Sequence, residues 1–114
     1  MQERDLTDSL RALIQSTVDF YARFEVTPEL DTSIRVFQEE VGELIEAAQD
    51  GTNRTHIAEE AADVFVTAIG LCLASGVDAD MLIKQTRAVI AKNDAKTHDT
   101  HEINGYGKIA RKEK

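Results

Sequence analysis

Five carboxylates fall in two groups along the middle of the chain: Glu39, Glu40 and Glu43, then Glu60 and Asp63. Glu40 and Glu43 are three residues apart, and so are Glu60 and Asp63. On a helix that spacing makes neighbours, so each pair can aim at one point. Like charges so placed repel by about a few tenths of a kcal/mol per pair unless a cation sits between them. Hard oxygen donors of this kind suit Mg²⁺, with Mn²⁺ as the alternative. The fold must therefore bring two acidic helical segments face to face.

The apolar pattern supplies those segments. A first helix is expected from a cap at Thr7 or Asp8 to about Phe24, with Leu10, Leu13, Val18 and Phe20/Tyr21 inward and residues 1–7 frayed. Pro28 marks a loop. A second helix starting at Asp31, Thr32 or Ser33 carries Ile34, Phe37, Val41, Leu44, Ile45 and Ala48 on one stripe, with Glu40 at its edge. Gly51 stops it as a C′ residue. The third runs from about Thr55 to Gly76, with Ile57, Ala61, Phe65, Ala68 and Cys72 on one face and Glu59, Glu60 and Asp63 off it. Asp78 caps a fourth, ending near Ala95, and residues 97–114 read as an irregular basic tail with a turn at Asn104-Gly105. Four helices with short joints predict an all-α, antiparallel four-helix bundle in a single domain, residues 1–114.

Composition sets limits on function. The 114 residues carry a net charge of −8. Residues 1–90 hold 7 Lys/Arg against 17 Asp/Glu, whereas residues 91–114 hold 6 against 4. An acidic body argues against nucleic-acid binding, which needs cations to displace counterions. The single Cys72 can form no intrachain disulfide, in keeping with a reducing compartment. Arg4, Asp5 and Asp8 interrupt any secretory h-region, and the run Val64–Ala74 is far short of the ~20 residues of a membrane span. A soluble, cytoplasmic protein is expected.

Glutamate pairs on helices are usually a solvated face. Here Glu40 borders the apolar stripe, and Glu60 and Asp63 precede the most apolar stretch of the third helix, where an unpaired charge is costly. Glu-Glu-x-x-Glu followed after a gap by Glu-x-x-Asp resembles the signature of the all-α nucleoside triphosphate pyrophosphohydrolases: the MazG group, dimeric dUTPases and phosphoribosyl-ATP pyrophosphohydrolases. Phe20, Phe24 and Arg35 look like the family's preceding segment. Lys92-Asn93-Asp94-Ala95-Lys96 and Asn104-Gly105-Tyr106-Gly107-Lys108 resemble the basic segments that close over nucleotide phosphates in relatives. The likeness spans about residues 10–108. It implies hydrolysis of a nucleoside triphosphate to the monophosphate and pyrophosphate, in nucleotide-pool house-cleaning. It also implies Mg²⁺ ligation by Glu40, Glu43, Glu60 and Asp63, with Glu39 as general base or outer contact, and phosphate contacts from Lys92, Asn93 and Lys96.

Competing signals are weaker. His98 and His101 lack a third and fourth zinc ligand. There is no Glu-x-x-His pair for a di-iron bundle and no Walker-type glycine loop. His56 reads equally as a helix-start residue or a contact to substrate, and stays outside the expected site. Rival functions are phosphoribosyl-ATP hydrolysis and a non-enzymatic helical dimerisation or adaptor module. The apolar run Val64–Ala74 exceeds what a chain this small can cover. A homodimer, or a homotetramer built as a dimer of dimers, is expected through a face bearing Val66 and Leu73, with Gly70 and Ala74 admitting a close helix.

Overall fold

The computed structural model describes residues 3–113, with side chains from residue 8. Four helices come first: α1 Glu3–Arg23, α2 Leu30–Asp50, α3 Arg54–Ala74 and α4 Ala79–Asp94. Two short strands follow, β1 His101–Ile103 and β2 Ile109–Arg111. The protein is an all-α helical bundle with a small hairpin appended. It divides into two compact units, Met1–Ile83 and Lys84–Lys114, with the division inside α4.

Local chemistry accounts for the helix ends. Gly51 takes a left-handed φ of 69° and donates its N–H to Ala47 O at 3.0 Å, closing α2 as expected. Asn53 Oδ1 accepts from His56 N at 3.0 Å and starts α3 one residue before the expected Thr55. Asp78 Oδ1 accepts from Met81 N at 2.9 Å, the expected cap of α4. The end of α1 is less ordinary. Val26 N–H reaches Tyr21 O and Glu25 N–H reaches Ala22 O, a Schellman closure with Glu25, not glycine, at φ 56°. At the other end α1 already runs from Glu3, so no cap at Thr7 or Asp8 begins it. Residues 3–7, expected to be frayed, are helical, and residues 1 and 2 lie outside the described residues.

The first unit is organised by α2 and α3, an αα-hairpin whose mutual contact is the most extensive between helices, with α1 laid against α3. Ile14, Ile69 and Ile83 form the centre, packed by Leu10, Leu13, Leu73, Ala79 and Leu82. The inward face of α1 therefore runs Leu10, Leu13, Ile14, Thr17 and Tyr21. Val18 and Phe20, expected inside, are substantially exposed. Thr17 disguises the stripe: it is buried, and its hydroxyl donates to Leu13 O at 2.9 Å, so a polar residue occupies a core position at no hydrogen-bond cost. In α2 the inner face is Phe37, Glu40, Val41, Leu44 and Ala47, one residue round from the expected stripe. Ile34 and Ile45 face out, Ile45 at 50% exposure. That rotation carries Glu40 inward.

Two expectations about α3 are corrected. Phe65, expected in the core, is 59% exposed, whereas Val66 and Leu73, expected on an uncovered face, are half-buried. Gly70 is buried beneath α1 within the same chain, where a Cβ would overlap the Tyr21 hydroxyl. Its lack of a side chain serves the α1–α3 approach.

The second unit corrects the irregular tail. β1 and β2 pair antiparallel, His101 with Arg111 and Ile103 with Ile109. Asn104 makes the turn, accepting on Oδ1 from Tyr106 N and Lys108 N, while Gly107 supplies a φ of 89°. Three-residue strands are too short to show alternation, so only the Asn-Gly turn was legible.

Candidate metal centre

The αα-hairpin sets the C-terminal half of α2 against the N-terminal half of α3, and the two acidic groups meet there. Glu40, Glu60 and Asp63 each offer a carboxylate oxygen, all within 4.8 Å of one another. Glu40 and Glu60 are half-buried, the Glu60 side chain at 13% exposure, and Asp63 is exposed at the rim. Glu40 Oε2 and Glu60 Oε2 are buried without a hydrogen-bond partner. Buried polar oxygens are normally satisfied, so two orphans contributed by residues of one close cluster fit a cation.

Electrostatics describe the same spot. The Glu40 carboxyl is held above its ordinary value, first by loss of solvent and then by Glu43, with Asp63 and Glu60 adding to it. Glu60 is raised by loss of solvent and by Glu43, against an opposing pull from His56. Glu43 thus acts on both half-buried carboxylates although it stands outside the close triad. It can share a hydrogen bond with either only when one of the pair is protonated. Four acids push against each other here, as a site shaped for positive charge does.

Of the residues singled out in the sequence, the structure draws Glu40, Glu60 and Asp63 together and sets Glu43 beside them. Glu39 is exposed and stands apart from the cluster. His56, kept outside the expected site, lies beside it. Its Nε2 lies 3.7 Å from Glu60 Oε1 and its Nδ1 3.9 Å from Glu59 Oε2, and the i, i+4 spacing to Glu60 was the available signal.

Within the second unit, Lys96 Nζ donates to Asn93 Oδ1 at 2.9 Å. Both line a cavity of about 530 Å³ with Thr97, His98, His101 and Glu102. Lys92 is exposed and outside that lining, though its charge reaches His101, which loss of solvent, Lys96, Arg111 and Lys92 together hold below the ordinary histidine value. Thr100 Oγ1 is 2.7 Å from His101 Nδ1. Among the described residues, His98 and His101 belong to no group of three metal-ligating side chains.

The likeness to the MazG-like nucleoside triphosphate pyrophosphohydrolases expected from the sequence is supported by comparison with known families. The family model described as phosphoribosyl-ATP pyrophosphohydrolase matches residues 5–88, and the chain belongs to that family. It is a pyrophosphohydrolase, a hydrolase acting on phosphoric anhydride bonds. The match takes in both acidic groups and stops short of Lys92, Asn93 and Lys96. No curated protein and no solved structure matches the chain significantly. No helix among the described residues is long and apolar enough to cross a membrane.

Proposed function

We propose that the protein is a Mg²⁺-dependent nucleoside triphosphate pyrophosphohydrolase, converting a ribo- or deoxyribonucleoside triphosphate and water to the monophosphate and pyrophosphate. The observation that carries this is the pair of orphaned, half-buried carboxylates, Glu40 and Glu60, converging with Asp63 within 4.8 Å. A triphosphate is itself polyanionic, so an acidic pocket repels it unless a metal lies between. Glu40, Glu60 and Asp63, with Glu43 beside them, would hold that metal. Mg²⁺, or Mn²⁺ in its place, would supply the charge that screens the phosphates and the Lewis acidity that activates a water. The chain's own part is to fix the ligands on two rigid helices, to keep solvent from two of them, and to receive a proton from the attacking water. Glu39 is assigned as that base, or as an outer contact, by its place in the Glu-Glu-x-x-Glu pattern next to Glu40.

Lys92, Asn93 and Lys96 are assigned to the outer phosphates, on the strength of the basic second unit and the Lys96–Asn93 pairing. A cytoplasmic homodimer or dimer of dimers completes the reading. Phe24, Ile45 and Phe65 are at least half-exposed, and apolar groups of that size are commonly covered by a partner.

A second reading, hydrolysis of phosphoribosyl-ATP, is favoured by the family match. It uses the same carboxylates and the same bond cleavage, and differs in the group carried on the base. The decisive experiment is pyrophosphate release from a panel of ribo- and deoxyribonucleoside triphosphates beside phosphoribosyl-ATP, with Mg²⁺, Mn²⁺ or chelator. Metal-dependent turnover of an ordinary nucleotide supports the first reading, and exclusive turnover of phosphoribosyl-ATP the second. No turnover, and no thermal stabilisation by metal, would leave a helical adaptor.

A further inference from the structure

The carboxylate centre has a neighbour that supplies none of its ligands. His56 sits in the first turn of α3, and the cap fixes its backbone there: Asn53 Oδ1 accepts from His56 N at 3.0 Å. Glu60 follows four residues on, one turn along the same face of the helix. The imidazole Nε2 lies 3.7 Å from Glu60 Oε1, and Nδ1 lies 3.9 Å from Glu59 Oε2. Neutral imidazole carries a single N–H, so only one of these carboxylates can accept from it. Glu59 is exposed, and water serves it. The Glu60 side chain is 13% exposed, so water competes poorly and a hydrogen bond there is worth more. That difference favours the tautomer with hydrogen on Nε2, directed at Glu60 Oε1. The second oxygen, Glu60 Oε2, is buried without a partner.

We propose that His56 is a positioning residue for Glu60: it holds Oε1 and thereby leaves Oε2, the oxygen without a partner, to the metal. The proposal rests on the metal-dependent reading above and adds to it a residue outside the five carboxylates. A glutamate restrained by nothing can offer a cation either oxygen, both or neither, and fixing it costs side-chain entropy when the cation binds. A donor on Oε1 settles the choice beforehand. Ligating carboxylates are supported in this way by outer hydrogen bonds, and loss of such a partner lowers metal affinity about ten- to a hundredfold. Among the described residues, no other basic side chain reaches ion-pair range of a triad carboxylate. The 3.7 Å separation is longer than a hydrogen bond. A modest rotation of the half-exposed imidazole, whose χ2 is a soft torsion, brings it within reach.

The test is Mg²⁺ binding without nucleotide, followed by isothermal titration calorimetry at about pH 8, where an ordinary histidine is neutral. It compares the full-length protein with His56→Ala and His56→Gln. Alanine has no donor, whereas the glutamine amide can place an N–H near the position of Nε2. His56→Ala is expected to raise the Mg²⁺ Kd about ten- to a hundredfold, and His56→Gln to recover most of that loss. Glu60→Gln completes a double-mutant cycle. Once Glu60 is replaced, His56→Ala should raise Kd little further, because a residue acting through Glu60 has nothing left to act on. A residue that merely starts the helix would shift the metal-free Tm and leave Kd alone, which overturns the proposal. Equal losses in His56→Ala and His56→Gln, or losses that add to that of Glu60→Gln, overturn it as well. Mg²⁺ binding by the unmodified protein that His56→Ala does not disturb removes this proposal alone. No Mg²⁺ binding by the unmodified protein removes the metal-dependent reading together with it.

Discussion

Replacing Glu40 by glutamine should move the thermal stability of this protein in opposite directions with and without metal. Glu40 has three acidic neighbours, Glu43, Asp63 and Glu60, all acting on its carboxyl. A like-charge pair at this range costs about a few tenths of a kcal/mol, so relief from three comes to about 1 kcal/mol. The glutamine amide can also donate to a neighbouring carboxylate, and volume is unchanged. For a chain of this length 1 kcal/mol is roughly 4 °C in Tm. Metal-free Glu40→Gln should thus melt a few degrees above the metal-free parent. Saturating Mg²⁺ acts the other way. At a hundred times its Kd a native-state ligand adds about 2.7 kcal/mol, or about 10 °C, to the parent. The variant, short of a ligand in the triad, should lose most of that gain and its Mg²⁺-dependent turnover. Differential scanning fluorimetry with chelator and with a Mg²⁺ series reads both arms on one plate. A variant that keeps the full Mg²⁺-induced rise, or melts lower than its parent in chelator, refutes the carboxylate centre.

The raised carboxyls of Glu40 and Glu60 fix a pH dependence. A folded value above the ordinary 4.5 means the native state holds these protons more tightly than the unfolded chain. Their contribution is complete below 4.5 and is lost as pH rises through the folded values. Metal-free Tm should therefore fall over that range more steeply in the parent than in Glu40→Gln, and equal slopes would count against the coupling. In the second unit, Lys96→Ala should raise KM, more for triphosphates than for diphosphates, and truncation after Ala91 should raise it further or end activity. Unchanged kinetics would make those residues a solubility tail. Glu25→Gly should stabilise by about 1 kcal/mol in urea unfolding, because Glu25 occupies a left-handed φ of 56°. No gain there means that the closure of α1 is unstrained. Phe65→Glu should split the expected dimer in light scattering, and an unmodified chain that is already monomeric at micromolar concentration removes that expectation.

The number and order of the helices were legible because apolar periodicity and caps such as Asp78 are local signals. The rotation of each helix was less so. In α1 the buried Thr17 hid the face that Ile14 belongs to, and in α2 Glu40 occupies a position that a hydrophobic count assigns to neighbouring Ile34 or Ile45. A side chain whose polar atom is satisfied within its own helix, or which awaits a ligand, breaks the pattern without leaving the interior. The meeting of the two acidic segments was readable from spacing, because the hairpin turn at Gly51 constrains where α2 and α3 can meet, but spacing did not separate Glu43 from the close triad. The pairing of β1 with β2 was not readable, since three-residue strands are too short to carry a period.

The notch at Gly70 has a consequence for how this chain can be altered. Alanine in place of a mid-helix glycine ordinarily strengthens a helix by about 1 kcal/mol, and at Gly42, where a Cβ meets nothing within 4 Å, that route is open. At Gly70 it is shut, because the new methyl must displace Tyr21. Helix rigidity and the position of α1 are thereby tied to a single hydrogen atom at position 70. The two residues form an epistatic pair: Tyr21→Phe, which removes the obstructing hydroxyl, is the change that can turn alanine at 70 from damaging to tolerated.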